Sequence, residues 1–381
     1  MVRAGRIVEL LASRSEVERA ASNSGAEILD LGAVVLAPGF VNAHAHLELS
    51  DLRGQLSPQG DLPEWIRSLL VLRADLGDKE RAAAYEDGAR ELARSGCTSV
   101  ADIDSCGLAS SGSGRRYLRV VTYTEALDIG DAGRRASVLE ALRGRAGVEA
   151  LSPHAPYSSS PALMRGIAQI ARDQNLAVGI HWAETEAEGE WMEEGHGTFA
   201  GLVGSGLPSP KRPGLELIRE SGLLNQNLSL YHANHPTPHE VELVREAGAS
   251  VVHCPGAHTF FKRDAFPLED WREAGVNLAL GTDSLAGNEA LDMLRELRLL
   301  RETFPELPAA ECFAMATENG ARAIGLGEQA GHLGAGAWAD FASFQTTARG
   351  LERVLEAVTT GAVEPCGTWI GGDAVNLEGE A

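Results

Sequence analysis

Eight apolar, β-rich strings recur along the chain, each ending in polar or ionisable residues. They are Phe40–His46, Thr98–Asp104, Arg119–Glu125, Val148–His154, Ala177–Glu184, Leu228–Asn234, Ser250–Cys254 and Asn277–Asp283. Helix-like segments separate most of them: Lys79–Ser95, Pro161–Gln174, His239–Ala247, Leu268–Ala274 and Asn288–Thr303. Strand alternating with helix implies a parallel sheet, because parallel neighbours need a crossover between them. Eight such repeats predict an α/β fold, a closed (β/α)8 barrel of the TIM type.

A barrel of this kind often takes ~250 residues as one domain. The 381 residues therefore leave room for a companion. Residues 1–36 hold short β-leaning stretches, Gly5–Leu10, Glu27–Asp30 and Val34–Leu36, too few to make a core alone. Residues 331–381 offer Gly331–Gly334, Ala339–Phe344 and Gly367–Gly372, cut by glycine. The expectation is one small β-domain built from both termini, 1–36 with 331–381, beside a barrel over 37–330.

Composition narrows the partners. A formal net charge of −21 repels nucleic acid and anionic membrane. No apolar run approaches the ~20 residues of a membrane span, and the first residues lack a signal-peptide core with a small-residue cleavage site. Five scattered cysteines without a Cys-x-x-Cys pair argue against a disulfide framework or a zinc knuckle. A cytoplasmic protein acting on a small molecule follows.

In such barrels the site lies at the C-terminal ends of the strands. Six of the eight strings carry a metal-capable residue there: His44 and His46, Asp104, His154, His181, His232, and Asp283. Alternate strand residues share a face, so His44 and His46 can grip one ion from one side. Neutral imidazoles with a carboxylate suit a hydrolytic metal that leaves one position to water. Glu125 ends the third string and keeps a second metal in view. The Gly/Ser loop Cys106–Arg116 lacks the Gly-Lys-Ser/Thr ending of a phosphate-binding loop. The insertion Glu186–Gly214 is either a substrate lid or a surface elaboration.

APGFVNAHAHLELS (37–50), SPHAPYSSSP (152–161), HWAE (181–184), LYHAN (230–234), HCPGAH (253–258) and LGTDS (280–284), in this order, resemble the amidohydrolase superfamily. The nearest likeness is to its mononuclear deaminase branch, acting on 5′-methylthioadenosine, S-adenosylhomocysteine and 6-aminodeoxyfutalosine. The resemblance implies that His44, His46, His181 and Asp283 ligate one divalent metal ion, zinc first and iron(II) second. It implies that Asp283 also accepts a proton from the bound water. Glu184 would protonate the substrate ring nitrogen, and His232 would hold the attacking hydroxide. His154 matches a substrate-contacting histidine. Trp65 resembles a site aromatic and reads equally well as a core Trp on a helix. Of His253 and His258, which flank Cys254-Pro255, one is a candidate substrate contact, His258 first. Glu48 is a candidate supporting residue of the metal site. Arg67, Arg73, His196, His235, His239, His332 and Cys254 read as surface, rim or packing residues.

The departures bear on the substrate. Pro63 stands where the nucleoside branch carries a ribose-clamping Glu, and His258 where it carries Asn. The fourth string ends in His154 rather than a lysine that could bridge two metals. The N-terminal segment is short by one or two strands relative to the family, so the small β-domain is expected to be incomplete. The reading is a metal-dependent hydrolytic deaminase of a purine nucleoside-like or related amino-heterocycle, with a homodimer compatible. The rivals are an amidohydrolase cleaving a cyclic amide or a carbon–halogen bond, and a non-catalytic ligand-binding barrel.

Overall fold

The computed structural model describes residues 1–58, 61–74, 77–145 and 147–378. The last three residues of the expected terminal β-domain lie outside them. Eight parallel strands stand in sequence order: β1 (Phe40–Ala45), β2 (Cys97–Asp104), β3 (Arg119–Ala126), β4 (Ala150–Pro153), β5 (Ala177–Trp182), β6 (Leu228–His232), β7 (Ser250–His253) and β8 (Asn277–Leu280). The Ala45–Asp283 bridge closes the ring, and the Thr282 and Asp283 N–H groups each reach the His44 carbonyl at 3.0 Å. Every residue of β1 and β2 is buried, as strands covered on both faces must be.

The barrel interior is filled by Val41, Ala43, Ala101, Ile103, Tyr123, Ala150, Tyr231, Val252 and Ala279. Ala321, Ala323, Ile324 and Ala330 pack against this cluster. Ser229 Oγ donates to the Ala323 carbonyl at 2.8 Å, so this segment plugs the end where the strands begin. Gly179 on β5 makes room for Tyr231, because a Cβ there would sit 1.8 Å from Tyr231 Oη.

The helices follow their end signals. Ser160 caps Pro161–Gln174, with Pro161 opening the first turn and Asn175 closing it in the left-handed region. Thr237 and Glu240 make a capping box for Pro238–Ala247, and Gly248 stops it. The helix expected over Asn288–Thr303 starts only at Met293, because Asp292 takes its N-cap. Asn288 stays in the loop, where its Nδ2 donates to the Thr282 carbonyl and to Glu296.

A second sheet is antiparallel, ordered Asp373–Ala374, Glu364–Ile370, Phe341–Gln345, Val35–Pro38. Both termini thus supply it, although Ala37 and Pro38 pair with Ala342 and Phe341 and so extend it past residue 36. Two expected strands do not form: Glu27–Asp30 and Gly331–Gly334 carry no ladder. Arg14–Ser24 is instead a helix, because Ser13 and Glu16 form a capping box and Gly25 ends it; none of its residues is buried. Arg119 on β3 ties the sheet to the barrel through Asp340, at 2.6 and 3.0 Å.

The insertion after β5 forms helices Glu186–Glu194 and Ala200–Val203. Trp191, Met192 and Phe199 bury it, the last packing on Tyr157 at 4.6 Å between ring centres. Among the described residues no helix is long and apolar enough to cross a membrane.

Candidate active site

The strand ends bring the expected histidines together. His44, His181 and His232 offer ring nitrogens that all lie within 4.8 Å of one another, as do the ligand atoms of His44, His46 and Asp283. His44 belongs to both groups. The Nε2 atoms of His44 and His46 each lie 3.7 Å from Asp283 Oδ1. That is too long for a hydrogen bond. It suits donors each ~2.0–2.2 Å from one ion between them.

His44 shows most directly that these residues suit a bound ion. It is fully buried, its ring stacks on Tyr231 at 3.9 Å, and both its nitrogens lack a hydrogen-bond partner. Buried polar atoms left this way are rare and call for a partner outside the chain. The Nδ1 of His181 lies 2.9 Å from the His154 carbonyl, which fixes the proton there and frees Nε2. Burial, then neighbouring histidines, holds His44 and His46 well below the usual imidazole range. Burial likewise lowers His181 to about 4 and His232 to about 3. The imidazoles are neutral, the form that ligates a cation. Burial and the Glu184 charge raise Asp283 to about 7, against the Ser284 N–H and Arg263.

Backbone strain gathers here. Ala183, His232, Ala233 and Asp283 have φ of 50°, 69°, 49° and 58°, in the left-handed region. Asp tolerates this, helped by the Ser284 N–H donating to its own Oδ1 at 2.8 Å. For His232 it costs on the order of 1–3 kcal/mol, which surrounding packing must offset.

Glu184 is 6% exposed, and the chain holds it at several points. Its N–H donates to Glu188 Oε2 at 2.9 Å, and its carbonyl accepts from Asn234 Nδ2 at 3.0 Å. The Arg263 guanidinium reaches both the same carbonyl and Oε1. The other carboxylate oxygen, Oε2, faces His232 Nε2 at 3.9 Å. Since His232 is neutral, this contact is not an ion pair. Burial alone would raise Glu184, but His232, together with the permanent charge of Arg263 and with His181 and His154, outweighs it and holds the group down at about 2, the three imidazoles acting in the protonated form they take only in that acid range. Glu184 is therefore a carboxylate at neutral pH, and must collect a proton before it can give one.

The remaining candidates scatter. His154 Nδ1 pairs with Ser158 Oγ at 2.7 Å, and its ring lies 5.0 Å from His181. Trp65 meets Phe261 edge-on at 5.2 Å, with its indole N–H buried and unpartnered. His258 Nε2 bonds the Asp264 carbonyl, and its ring lies 5.2 Å from His253. Glu48 is occupied by Arg73 at 2.7 Å and by the Ser105 and Cys106 N–H groups. Arg73 is thus paired rather than solvated. Asp104 turns its Oδ1 to the N–H groups of Gly107 and Leu108. Glu125 shares the inner face of β3 with Tyr123, yet joins neither site cluster among the described residues.

Sequence reasoning missed Arg263, Glu188 and Asn234. Asn234 lies in the motif that yields His232, and Glu188 sits one helical turn beyond Glu184, so both left a trace. Arg263 sits in an ordinary charged loop, Lys262-Arg263-Asp264, and left none.

Comparison with known proteins bears on the family and the fold. The model of the amidohydrolase family matches residues 35–375. A 5-methylthioadenosine/S-adenosylhomocysteine deaminase of Halobacterium salinarum is 32% identical over 360 residues, covering 88% of this chain and 79% of that protein. A zinc-bound adenosine deaminase of Xanthomonas campestris is 25% identical at TM-score 0.79, covering 98% and 87% of the two chains. An aminofutalosine deaminase of Helicobacter pylori, in complex with methylthio-coformycin, shares the fold at TM-score 0.84 and 22% identity, covering 98% and 94%. The family match takes in all eight barrel strands together with the ends that carry these side chains, and the chain belongs to the amidohydrolase family.

Proposed function

We propose that this hydrolytic deaminase converts a 6-aminopurine nucleoside, or a close analogue, to the 6-oxo product and ammonia. The observation that carries the reading is the Glu184 carboxylate facing His232 at 3.9 Å beside the orphaned nitrogens of His44. His44, His46, His181 and Asp283 would hold one divalent ion, which we read as zinc. Bound there, such an ion supplies a water acidic enough to give hydroxide near neutral pH.

The chain's own residues then do the proton work. His232 orients the attacking water by a hydrogen bond from its neutral ring. As the water oxygen bonds to the ring carbon, one of its protons passes to Glu184 and on to the adjacent ring nitrogen. Asp283, whose Oδ1 lies 3.7 Å from the Nε2 atoms of both His44 and His46, takes the second proton from the added hydroxyl. That proton reaches the amine as the carbon–nitrogen bond breaks, so ammonia leaves and water is consumed one for one. We propose His154, Trp65 and His258 as the substrate-side residues and residues 37–330 as the catalytic unit. A free small molecule in the cytoplasm is the substrate on this reading.

The test is ammonia release from adenosine, methylthioadenosine, S-adenosylhomocysteine and 6-aminodeoxyfutalosine, with guanine and cytosine as base controls. Turnover of at least one nucleoside, abolished by Asp283→Asn, is the expected result. Silence with every nucleoside from protein that holds its metal would move the substrate outside the 6-aminopurines.

A further inference from the structure

Arg263 takes no part in the chemistry so far, yet its side chain is 8% exposed and points at the reacting groups. It follows the short helix Pro255–Phe260 after β7. Lys262, at φ 51°, turns the chain back in the left-handed region. The Arg263 N–H donates to the His258 carbonyl at 3.1 Å, and the His258 ring bonds the Asp264 carbonyl. The guanidinium lies 4.8 Å from the Phe261 ring centre. This loop is built to aim one arginine.

Its target is Glu184 at two points, the main-chain oxygen and Oε1. Asn234 and Glu188 hold the same residue's carbonyl and N–H. A planar guanidinium offers donors in a fixed fork, so it sets an orientation as well as a charge. With Oε1 taken, the oxygen that faces His232 is Oε2.

We propose that Arg263 is a positioning residue for deamination: it pins Oε1 and the carbonyl of Glu184 so that every proton Glu184 handles passes through Oε2. The inference rests on the deaminase reading above. The water proton goes to Oε2, the water oxygen's electron pair forms the new carbon–oxygen bond, and Oε2 then gives that proton to the ring nitrogen. Arg263 keeps all its protons and touches no substrate atom.

The test uses the metal-loaded full chain with Arg263→Met, Arg263→Lys and Arg263→Gln, the last covering the case in which the Met variant does not fold. Crystal structures give a readout without turnover. In the Met or Gln variant the Glu184 carboxylate is expected to rotate away from His232, and in the Lys variant to stay. Steady-state kinetics on the panel give the second readout. Arg263→Met is expected to lower kcat about 100-fold with KM changed less than about threefold, and Lys to recover roughly tenfold of that loss. In a Glu184→Gln background the further loss from Arg263→Met is expected to stay below about twofold, since the two act as one unit.

A Glu184 carboxylate that keeps its contact with His232 without Arg263 would overturn the proposal. So would an equal loss in both backgrounds, or a raised KM at unchanged kcat, which would make Arg263 a substrate contact. If the unaltered protein deaminates nothing, the functional reading fails while the crystal structures still decide the positioning.

Discussion

His44 shows at one residue how fold and chemistry share a side chain. Its ring packs on Tyr231 and its carbonyl helps close the barrel, yet both ring nitrogens lack a partner. Replacing it with Asn should keep the barrel and lose the ion. Elemental analysis should then show far less than one metal per chain, with ammonia release down by at least about 100-fold. Glu296 makes a separate prediction. It is fully buried, and burial raises it to about 8 against hydrogen bonds from Asn288 and Gly256. Folded protein then keeps a proton that the unfolded chain releases near 4.5. This contribution is full below about 4.5 and is lost as pH rises towards 8, by at most ~1.4 kcal/mol per pH unit. Glu296→Gln should flatten the fall in urea midpoint between pH 5 and 8, and an unchanged slope would refute the assignment. The residues legible beforehand, His44, His46, His181, His232, Glu184 and Asp283, share one property. Each lies within three residues of the C-terminal end of a barrel strand, and the fold carries those ends to one place. Arg263 depends on a loop 79 residues away from Glu184, which no local spacing encodes.

At the scale of elements, the eight barrel strands and five of the helices followed hydrophobic pattern, while helices such as Leu62–Ala74, Ala132–Gly144 and Leu351–Thr359 were not read from it. Pro161–Gln174 was readable to the residue because Ser160, Pro161 and Asn175 mark it in sequence. The start of Met293–Thr303 was not, since Asn288 and Asp292 are both able caps and only the contact of Asn288 with Thr282 decides between them. The helix Arg14–Ser24 escaped because it buries nothing, so no apolar stripe announced it. Gly179 gives the sharpest prediction for β5. A methyl group there would meet Tyr231 Oη, whose ring supports His44. Gly179→Ala should cost about 1–3 kcal/mol in a denaturation curve and weaken metal retention in the same preparation. An Ala variant with normal stability and full metal would show that Tyr231 moves without consequence.

For the whole molecule, the barrel and the four-stranded terminal sheet are joined at points that can be cut one at a time. Arg119 reaches from β3 to the buried Asp340 of the terminal sheet with two hydrogen bonds. Arg119→Ala leaves that carboxylate without its cation and should cost on the order of 2–4 kcal/mol, read as a lower melting temperature with KM unchanged. The division into a barrel and a sheet from both termini was legible because neither terminal segment could bury a core alone. The point where the sheet ends was not, since Ala37 and Pro38 read equally well as the approach to β1.

The central claim is that one ion in the His44, His46, His181 and Asp283 set drives hydrolytic deamination. The direct measurement removes metal with a chelator, confirms its absence, and titrates zinc back while following ammonia release from the best nucleoside substrate. The account predicts no turnover without metal and a linear return that saturates at about one equivalent per chain. Turnover that survives verified metal removal, or that zinc never restores to a folded chain, would contradict it.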